Sequence, residues 1–359
     1  MLHPEKFHID GISYSQTELI DFCQDAGEDT SKPVWKRDIL SFIKLFLDPS
    51  EGDILQKTSG TTGDPREYLL HRESMIRSAQ RTLDYFTLQP DDRALLCLPI
   101  NYVAGKMMVV RALVGGLDLV TVEPSGRPLK DLDGSITFGA MVPLQVYESI
   151  QHGDDLSGIE KLIIGGGELS PSLIKKLGRM DSPEVYESFA MTETYTHFAL
   201  KRINGTTPDD AFRLLDGIRI KQDKRGCLEV EIPGVTEGLV ATNDLVEINS
   251  EGIGFKWLGR YDNVINSGGI KIIPEVLEQR IRDLLGHHCL VLSEGDAKLG
   301  DRLVLMVEYG DPNPPDDAWF ELLHHKLSKF EVPKRIVTVG LIPRNLSFKP
   351  DRKAARRLL

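Results

Sequence analysis

From residue 73 to 189, short apolar runs alternate with stretches whose apolar residues recur at helical spacing. The runs predict buried strands over 94–98, 117–122, 136–142 and 162–164. Between them the spacing predicts helices over 74–86, 105–113, 143–150 and 170–177. Strands apolar on both faces and separated by helices mark βα units around a largely parallel sheet. After residue 205 the texture changes to short strands with turns between them, over 227–232, 239–242, 245–248 and 254–257. That pattern predicts a more antiparallel β region. A different unit follows Gly259-Arg260: Val276, Leu277, Ile281, Leu284 and Leu285 mark an amphipathic helix over 274–285, with Pro274 in its first turn. Beyond it, 289–292, 303–307 and 336–339 read as strands and 319–327 as a helix. The expectation is a large α/β N-terminal domain over 1–260, with a parallel sheet and a more antiparallel β region. A smaller α+β C-terminal domain over 261–359 would follow it, with the boundary near 260–262.

Composition narrows the chemistry. The chain has 359 residues, 27% of them charged and 41% hydrophobic, as expected of a globular enzyme. A net charge of −11 argues against a general nucleic-acid or membrane-surface binder, both of which need a basic face. Anionic ligands would therefore depend on local backbone N–H groups and a few placed cations. Cys23, Cys97, Cys227 and Cys289 are too scattered for a CxxC motif or a disulfide framework. The start of the chain lacks a basic segment followed by an apolar run, and no apolar stretch approaches the ~18 residues that span a bilayer. A cytoplasmic protein with no membrane insertion is the expectation; self-association into a homo-oligomer is left open. The adjacent pairs His287-His288 and His324-His325 do not share one helical face as an HExxH site would, so they are read as surface or structural.

The most informative segment is Thr58-Ser59-Gly60-Thr61-Thr62-Gly63-Asp64-Pro65-Arg66. Glycines let consecutive N–H groups face one anion, hydroxyls add donors, and Arg66 would neutralise a polyphosphate. No Lys-Ser/Thr pair follows the second glycine, so this is not a GxxxxGK[ST] P-loop. A generic Gly/Thr/Ser cluster is more often a polar surface loop. This string, however, resembles TSGTTGxP[KR], the phosphate loop of the adenylate-forming superfamily of acyl-CoA synthetases, luciferases and peptide-synthetase adenylation domains.

Further segments resemble that superfamily in the same order along the chain. Phe189-Ala190-Met191-Thr192-Glu193 is similar to its YGMTE. The resemblance implies that Phe189 lies against adenine, Thr192 contacts the α-phosphate and Glu193 helps hold Mg²⁺, a hard cation that takes oxygen ligands. Upstream, Gly165-Gly166-Gly167 resembles the glycine turn beside adenine, and Thr242-Asn243-Asp244-Leu245 resembles TGDL, in which the aspartate accepts from the ribose hydroxyls. Gly259-Arg260-Tyr261-Asp262-Asn263-Val264-Ile265, with Ser267 to Glu275, resembles GRxDxxIxxxGxxIxPxEIE. By that resemblance Arg260 serves both the nucleotide and catalysis, Asp262 is the hinge of a rotating C-terminal domain, and Gly268 and Gly269 flank the path of the thiol. Pro343 to Lys353 resembles the terminal PRTxxGKxxRK stretch, which makes Lys349 the catalytic lysine that bridges the acyl carboxylate and the α-phosphate. Taken alone, each motif has a plainer reading as a strand end, a hairpin turn or a basic solvated tail; the shared order carries the weight.

Several positions depart from the pattern. Arg66 stands for lysine; Ala190, Asn243 and Phe348 stand for glycine; Tyr102 stands for histidine in a PxxHxxG segment that here runs from Pro99 to Gly105. Only 57 residues precede the phosphate loop, fewer than most members carry, so the large domain is expected to be N-terminally shortened. The short form, together with 99–111 and 263–274, most resembles the o-succinylbenzoate–CoA ligases of menaquinone biosynthesis. Their substrate keeps a spectator benzoate carboxylate, which a guanidinium can hold bidentately. The resemblance places Arg111 in that role, with Lys106 assisting and Tyr102 lining the acid pocket; the plain alternative is a helix-surface arginine. The expected reaction is acid plus ATP giving acyl-AMP and pyrophosphate, then acyl-CoA and AMP, with ATP, Mg²⁺ and coenzyme A as co-reactants. Two alternatives stand beside it: an enzyme that loads another aryl or amino acid onto a carrier protein, and a non-catalytic nucleotide-binding homologue.

Overall fold

The computed structural model describes residues 4–48, 50–57, 67–297, 299–311, 314–344 and 350–359. Two compact units result: 1–219 with 230–240, and 220–229 with 241–359.

In the first unit, strands β1 (Phe7–Ile9) and β2 (Ile12–Tyr14) lead into helices α1 (Gln16–Glu28) and α2 (Val34–Leu47). None of these was assigned from the sequence. Helix α1 starts on a capping box, in which Ser15 Oγ accepts from Glu18 N and Glu18 Oε2 accepts from Ser15 N. Helix α2 buries Ile39, Leu40, Phe42, Ile43, Phe46 and Leu47. A separate hairpin joins β3 (Ile54–Lys57) to β4 (Glu67–Leu70), with Lys57 opposite Glu67.

The βα alternation then follows as the hydrophobic pattern predicts. Helix α3 (Arg72–Phe86) precedes β5 (Arg93–Leu96), α4 (Val103–Gly115), β6 (Asp118–Thr121), β7 (Ile136–Met141), α5 (Pro143–Gln151), β8 (Ile159–Ile164), α6 (Pro171–Leu177) and β9 (Glu184–Ala190). Strands β1, β6, β5, β7, β8 and β9 pair in parallel in that order. Strand β10 (His197–Arg202) returns antiparallel to β9, and β11 (Phe212–Leu214) antiparallel to β10. Leu95, Ile136, Leu162, Ile164 and Val185 from the sheet pack with Val146, Leu173 and Leu177 from α5 and α6. At Gly105, a Cβ would meet the Pro99 carbonyl oxygen at 2.4 Å, so only glycine lets α4 start this close to the loop after β5.

In the second unit, β12 (Arg219–Gln222), β13 (Cys227–Glu231), β14 (Val240–Ile248) and β15 (Gly254–Arg260) are neighbours in that order. Strands over 239–242 and 245–248 were expected with a turn between them. Instead β14 is continuous, with a register irregularity at Leu245/Val246. Thr242 and Asp244 are buried and Asn243 lies between them, so the polar triplet alternates as a strand does. A second sheet holds β16 (Ile265–Ser267), β17 (Ile270–Ile272), β18 (Cys289–Asp296), β19 (Gly300–Glu308) and β20 (Arg335–Val339). Helices α7 (Pro274–Leu285) and α8 (Asp316–Lys326) pack on it around Leu277, Ile281, Leu305 and Leu323, and α9 (Arg352–Arg356) closes the chain. Among the described residues, no helix is long and apolar enough to cross a membrane.

Candidate active site

The phosphate-loop residues Thr58, Ser59, Gly60, Thr61, Thr62, Gly63 and Arg66 lie outside the described residues, as does Lys349. Their flanks are described. Strands β3 and β4 pair on either side of 58–66, and an isolated bridge joins Arg344 to Pro350 around 345–349.

The carboxyl ends of the parallel strands carry the expected nucleotide motifs of the first unit, the edge where open α/β sheets bind ligands. After β8, Gly165 N donates to the Met141 carbonyl, and Gly166 takes a φ of +78° that favours glycine. Phe189, the last residue but one of the neighbouring β9, has its ring set edge-on by Phe198 at 5.5 Å and Phe212 at 5.3 Å. Ala190 is not among the positive-φ residues, so the side chain in place of glycine is unstrained there. One 3₁₀ turn follows at Thr192–Thr194. It is tied by Thr194 Oγ1, which accepts from Met191 N at 3.3 Å and donates back towards the Met191 and Thr196 carbonyls. Glu193 is exposed, and Tyr68 Oη donates to its Oε1 at 3.1 Å. Among the described residues no three His, Cys, Asp or Glu side chains gather into a metal cage. A lone carboxylate fits Mg²⁺ that draws its other ligands from phosphate oxygens and water.

The three acid-pocket candidates diverge. Tyr102, ahead of α4, is 54% exposed. Lys106 Nζ donates to Gln56 Oε1 at 2.8 Å and to the Ile100 carbonyl at 3.0 Å, beside a cavity of about 220 Å³ lined by Phe42, Leu45 and Asn101 among others. Burial pushes this ammonium below its ordinary value. Arg111 points elsewhere. It is only 3% exposed; Nη2 donates to Thr196 Oγ1 at 2.5 Å, Nη1 approaches Met108 Sδ at 3.4 Å, and Nε has no partner among the described residues. Burial pushes its guanidinium down to about 9, which leaves it charged at neutral pH. Arg111 thus sits beside the segment that follows Thr192-Glu193, and it is no surface arginine. Thr196 and Tyr68 carry no signal in the sequence that would have singled them out.

In the second unit a compact cluster surrounds Asp244, which is 7% exposed. Trp257 Nε1 donates to its Oδ1 at 3.0 Å and Arg260 Nη1 to its Oδ2 at 3.2 Å. A carboxylate has about four lone-pair sites, so two acceptor positions remain beyond the Trp257 and Arg260 bonds. Asn243 Nδ2 donates to both carboxylate oxygens of Asp262, at 3.3 and 3.1 Å, and Arg225 Nη1 donates to Asn243 Oδ1 at 2.8 Å. Arg260 Nη2 also reaches Asp262 Oδ2 at 3.5 Å. Gly268 and Gly269 form the two-residue connection between β16 and β17, with φ of +61° and +83°. Positive φ at both positions is what such a hairpin turn requires. Behind them, Arg352 Nη2 donates to Glu278 Oε2 at 2.9 Å and to Glu275 Oε1 at 3.3 Å, anchoring α9 to α7.

Residues 16–235 match the family model described as AMP-binding enzyme, and the chain belongs to that family. The 2-succinylbenzoate–CoA ligase of Salmonella typhimurium is 28% identical over 315 residues, covering 84% of this chain and 67% of the relative. A solved acyl-CoA synthetase (AMP-forming)/AMP-acid ligase II-like protein from Dyadobacter fermentans is 33% identical, with a TM-score of 0.63 over 94% of this chain and 97% of its own. ATP-bound MatB from Rhodopseudomonas palustris, 18% identical, shares the fold at a TM-score of 0.79, covering all of this chain and 96% of its own.

Proposed function

We propose that the chain is an AMP-forming carboxylate–CoA ligase whose acid is o-succinylbenzoate. The observation that carries the acid is Arg111: a buried cation with no carboxylate partner among the described residues and an unpartnered Nε. Leaving such a charge unpaired is costly, and a second carboxylate on the substrate would relieve that cost. The name of the Salmonella relative points to the same acid.

In this reading the aliphatic carboxylate of the acid attacks the α-phosphorus of ATP, pyrophosphate leaves, and the coenzyme A thiolate then displaces AMP from the acyl carbon. Thr58 to Arg66 would cradle the β- and γ-phosphates with backbone N–H groups, hydroxyls and one guanidinium. Phe189 offers its face to adenine beside Gly165, Gly166 and Gly167, and Asp244 accepts from the ribose while Arg260 holds that carboxylate in place. Thr192 donates to the α-phosphate. Glu193 would hold Mg²⁺, which neutralises phosphate charge when bound. Lys349 supplies a positive charge where negative charge develops during adenylation. We place the pivot between the adenylating and thioester-forming poses at Asp262, with the large domain over 1–260 and the mobile one over 261–359, and the thiol path beside Gly268 and Gly269. The cytoplasm is the compartment this chemistry suits.

The test is a single-turnover reaction with ATP, Mg²⁺ and o-succinylbenzoate before coenzyme A is added. Pyrophosphate and an enzyme-bound acyl-adenylate are expected; ADP and phosphate would refute the mechanism. Transfer to a pantetheinylated carrier protein in preference to coenzyme A would refute the acceptor.

A further inference from the structure

Beyond Arg111 itself, a run of neutral groups leads away from the guanidinium into the core. His197 opens β10 and is 6% exposed. Its Nδ1 lies 3.2 Å from Thr196 Oγ1 and its Nε2 lies 3.3 Å from Thr82 Oγ1. Donor accounting gives the run a direction. A guanidinium can only donate, so Thr196 Oγ1 accepts from Arg111 Nη2; at the other end Thr82 gives its one hydroxyl hydrogen to the Ser78 carbonyl of α3, at 3.4 Å, and so accepts from His197 Nε2. In the neutral ring Nε2 then carries the hydrogen and Nδ1 is the acceptor, towards which Thr196 turns its own hydroxyl hydrogen.

We infer that His197, as its neutral Nε2–H tautomer, is a positioning residue that orients Thr196 and through it the Arg111 guanidinium for a carboxylate of the acid substrate. This rests on the acid assignment above. The chain of hydroxyl and imidazole fixes one edge of Arg111 without neutralising it, so its charge stays available to an incoming anion. A carboxylate in place of His197 would fix the guanidinium equally well and cancel that attraction. Protonating His197 would set a second cation beside Arg111. Burial, together with the Arg111 charge, holds His197 well below the ordinary imidazole range.

The test compares o-succinylbenzoate with a monocarboxylate analogue lacking the benzoate carboxylate, in adenylation assays of the full chain. His197→Leu and Thr196→Val are expected to lower kcat/KM for the dicarboxylate by about ten- to 150-fold, mainly through KM, the range for one hydrogen bond to a charged group. Activity on the monocarboxylate should change by less than about twofold, as should the KM for ATP. His197→Asn keeps an acceptor near the Nδ1 position, Thr196→Ser keeps the hydroxyl, and both should restore most of the loss. Nitrogen NMR of His197 in the wild-type protein should show Nε2–H, unchanged from pH 6 to 8. Equal losses on both acids, or an Nδ1–H tautomer, would overturn the inference even if His197→Leu proved too unstable to assay. Arg111→Ala separates the two readings. If it discriminates the acids and Thr196→Val does not, only the positioning role falls; if it does not discriminate them, the acid assignment falls and takes this role with it.

Discussion

Arg260 Nη1 donates to Asp244 Oδ2 at 3.2 Å, while the opposite oxygen of the same carboxylate is held by the Trp257 indole. The pair ties two motifs, one on β14 and one at the end of β15, into one acceptor with two lone pairs still open. Asp244→Asn turns one acceptor oxygen into a donor and should raise the KM for ATP by about ten- to a hundredfold. The variant should also discriminate less than the wild type between ATP and 2′-deoxy-ATP. Unchanged discrimination would mean that Asp244 does not bind ribose.

In the first unit, Tyr68 Oη donates to Glu193 Oε1 at 3.1 Å. Tyr68→Phe should raise the Mg²⁺ concentration needed for half-maximal pyrophosphate formation by about three- to tenfold, with the rate at saturating metal nearly unchanged. Because the bond lies at the surface, the melting temperature should hardly move. A lower maximal rate with an unchanged metal requirement would remove Glu193 from the metal site.

Lys349→Ala should slow adenylate formation by about ten- to a thousandfold, the range for losing one positioned electrostatic group. Thioester formation from preformed acyl-adenylate should be nearly unaffected. Rapid-quench measurement of the two half-reactions decides this; equal losses in both would mean that the domain does not alternate or that Lys353 is the catalytic lysine.

The Arg352–Glu278 pair makes a prediction about stability. Glu278 is 3% exposed, and burial raises its carboxyl even with Arg352 lowering it in part. Arg352→Ala would leave that charge uncompensated and should cost about 3–5 kcal/mol in urea unfolding at pH 7. The pH dependence has a definite sign. A carboxyl whose folded value is raised contributes stability below its unfolded value and loses it as pH rises through the folded value. The variant should therefore recover part of its loss on acidification from pH 7 towards the ordinary glutamate range near 4.5, a recovery that Glu278→Gln in the same background abolishes.

The βα core was legible because parallel strands buried on both faces read as apolar runs bounded by helices, as at 136–142 and 162–164. The family was legible because several short motifs, from Thr58 to Lys353, stand in the same order as in the superfamily they resemble, and residues 16–235 match its AMP-binding model. Other features gave local pattern too little to work with. Helix α1 buries only Leu19, Cys23 and Ala26. Helix α4 is buried over most of its surface, so its periodicity could not show that Lys106 and Arg111 face different places. Thr242 to Asp244 read as a turn because its polar residues are turn formers; burial of alternate side chains keeps it in β14. Thr196 and His197 gain their meaning from Arg111 and Thr82, which are 85 and 115 residues away in the chain, beyond the reach of any local signal.

Adenylation by direct attack of the acid on the α-phosphorus is tested most directly by following oxygen. With ¹⁸O in both oxygens of the aliphatic carboxylate, that oxygen becomes the bridge to the α-phosphorus and leaves with AMP when coenzyme A attacks. Mass analysis after complete turnover should find one ¹⁸O in AMP and none in inorganic phosphate. Label in inorganic phosphate, accompanied by ADP, would show an acyl-phosphate route and contradict the account.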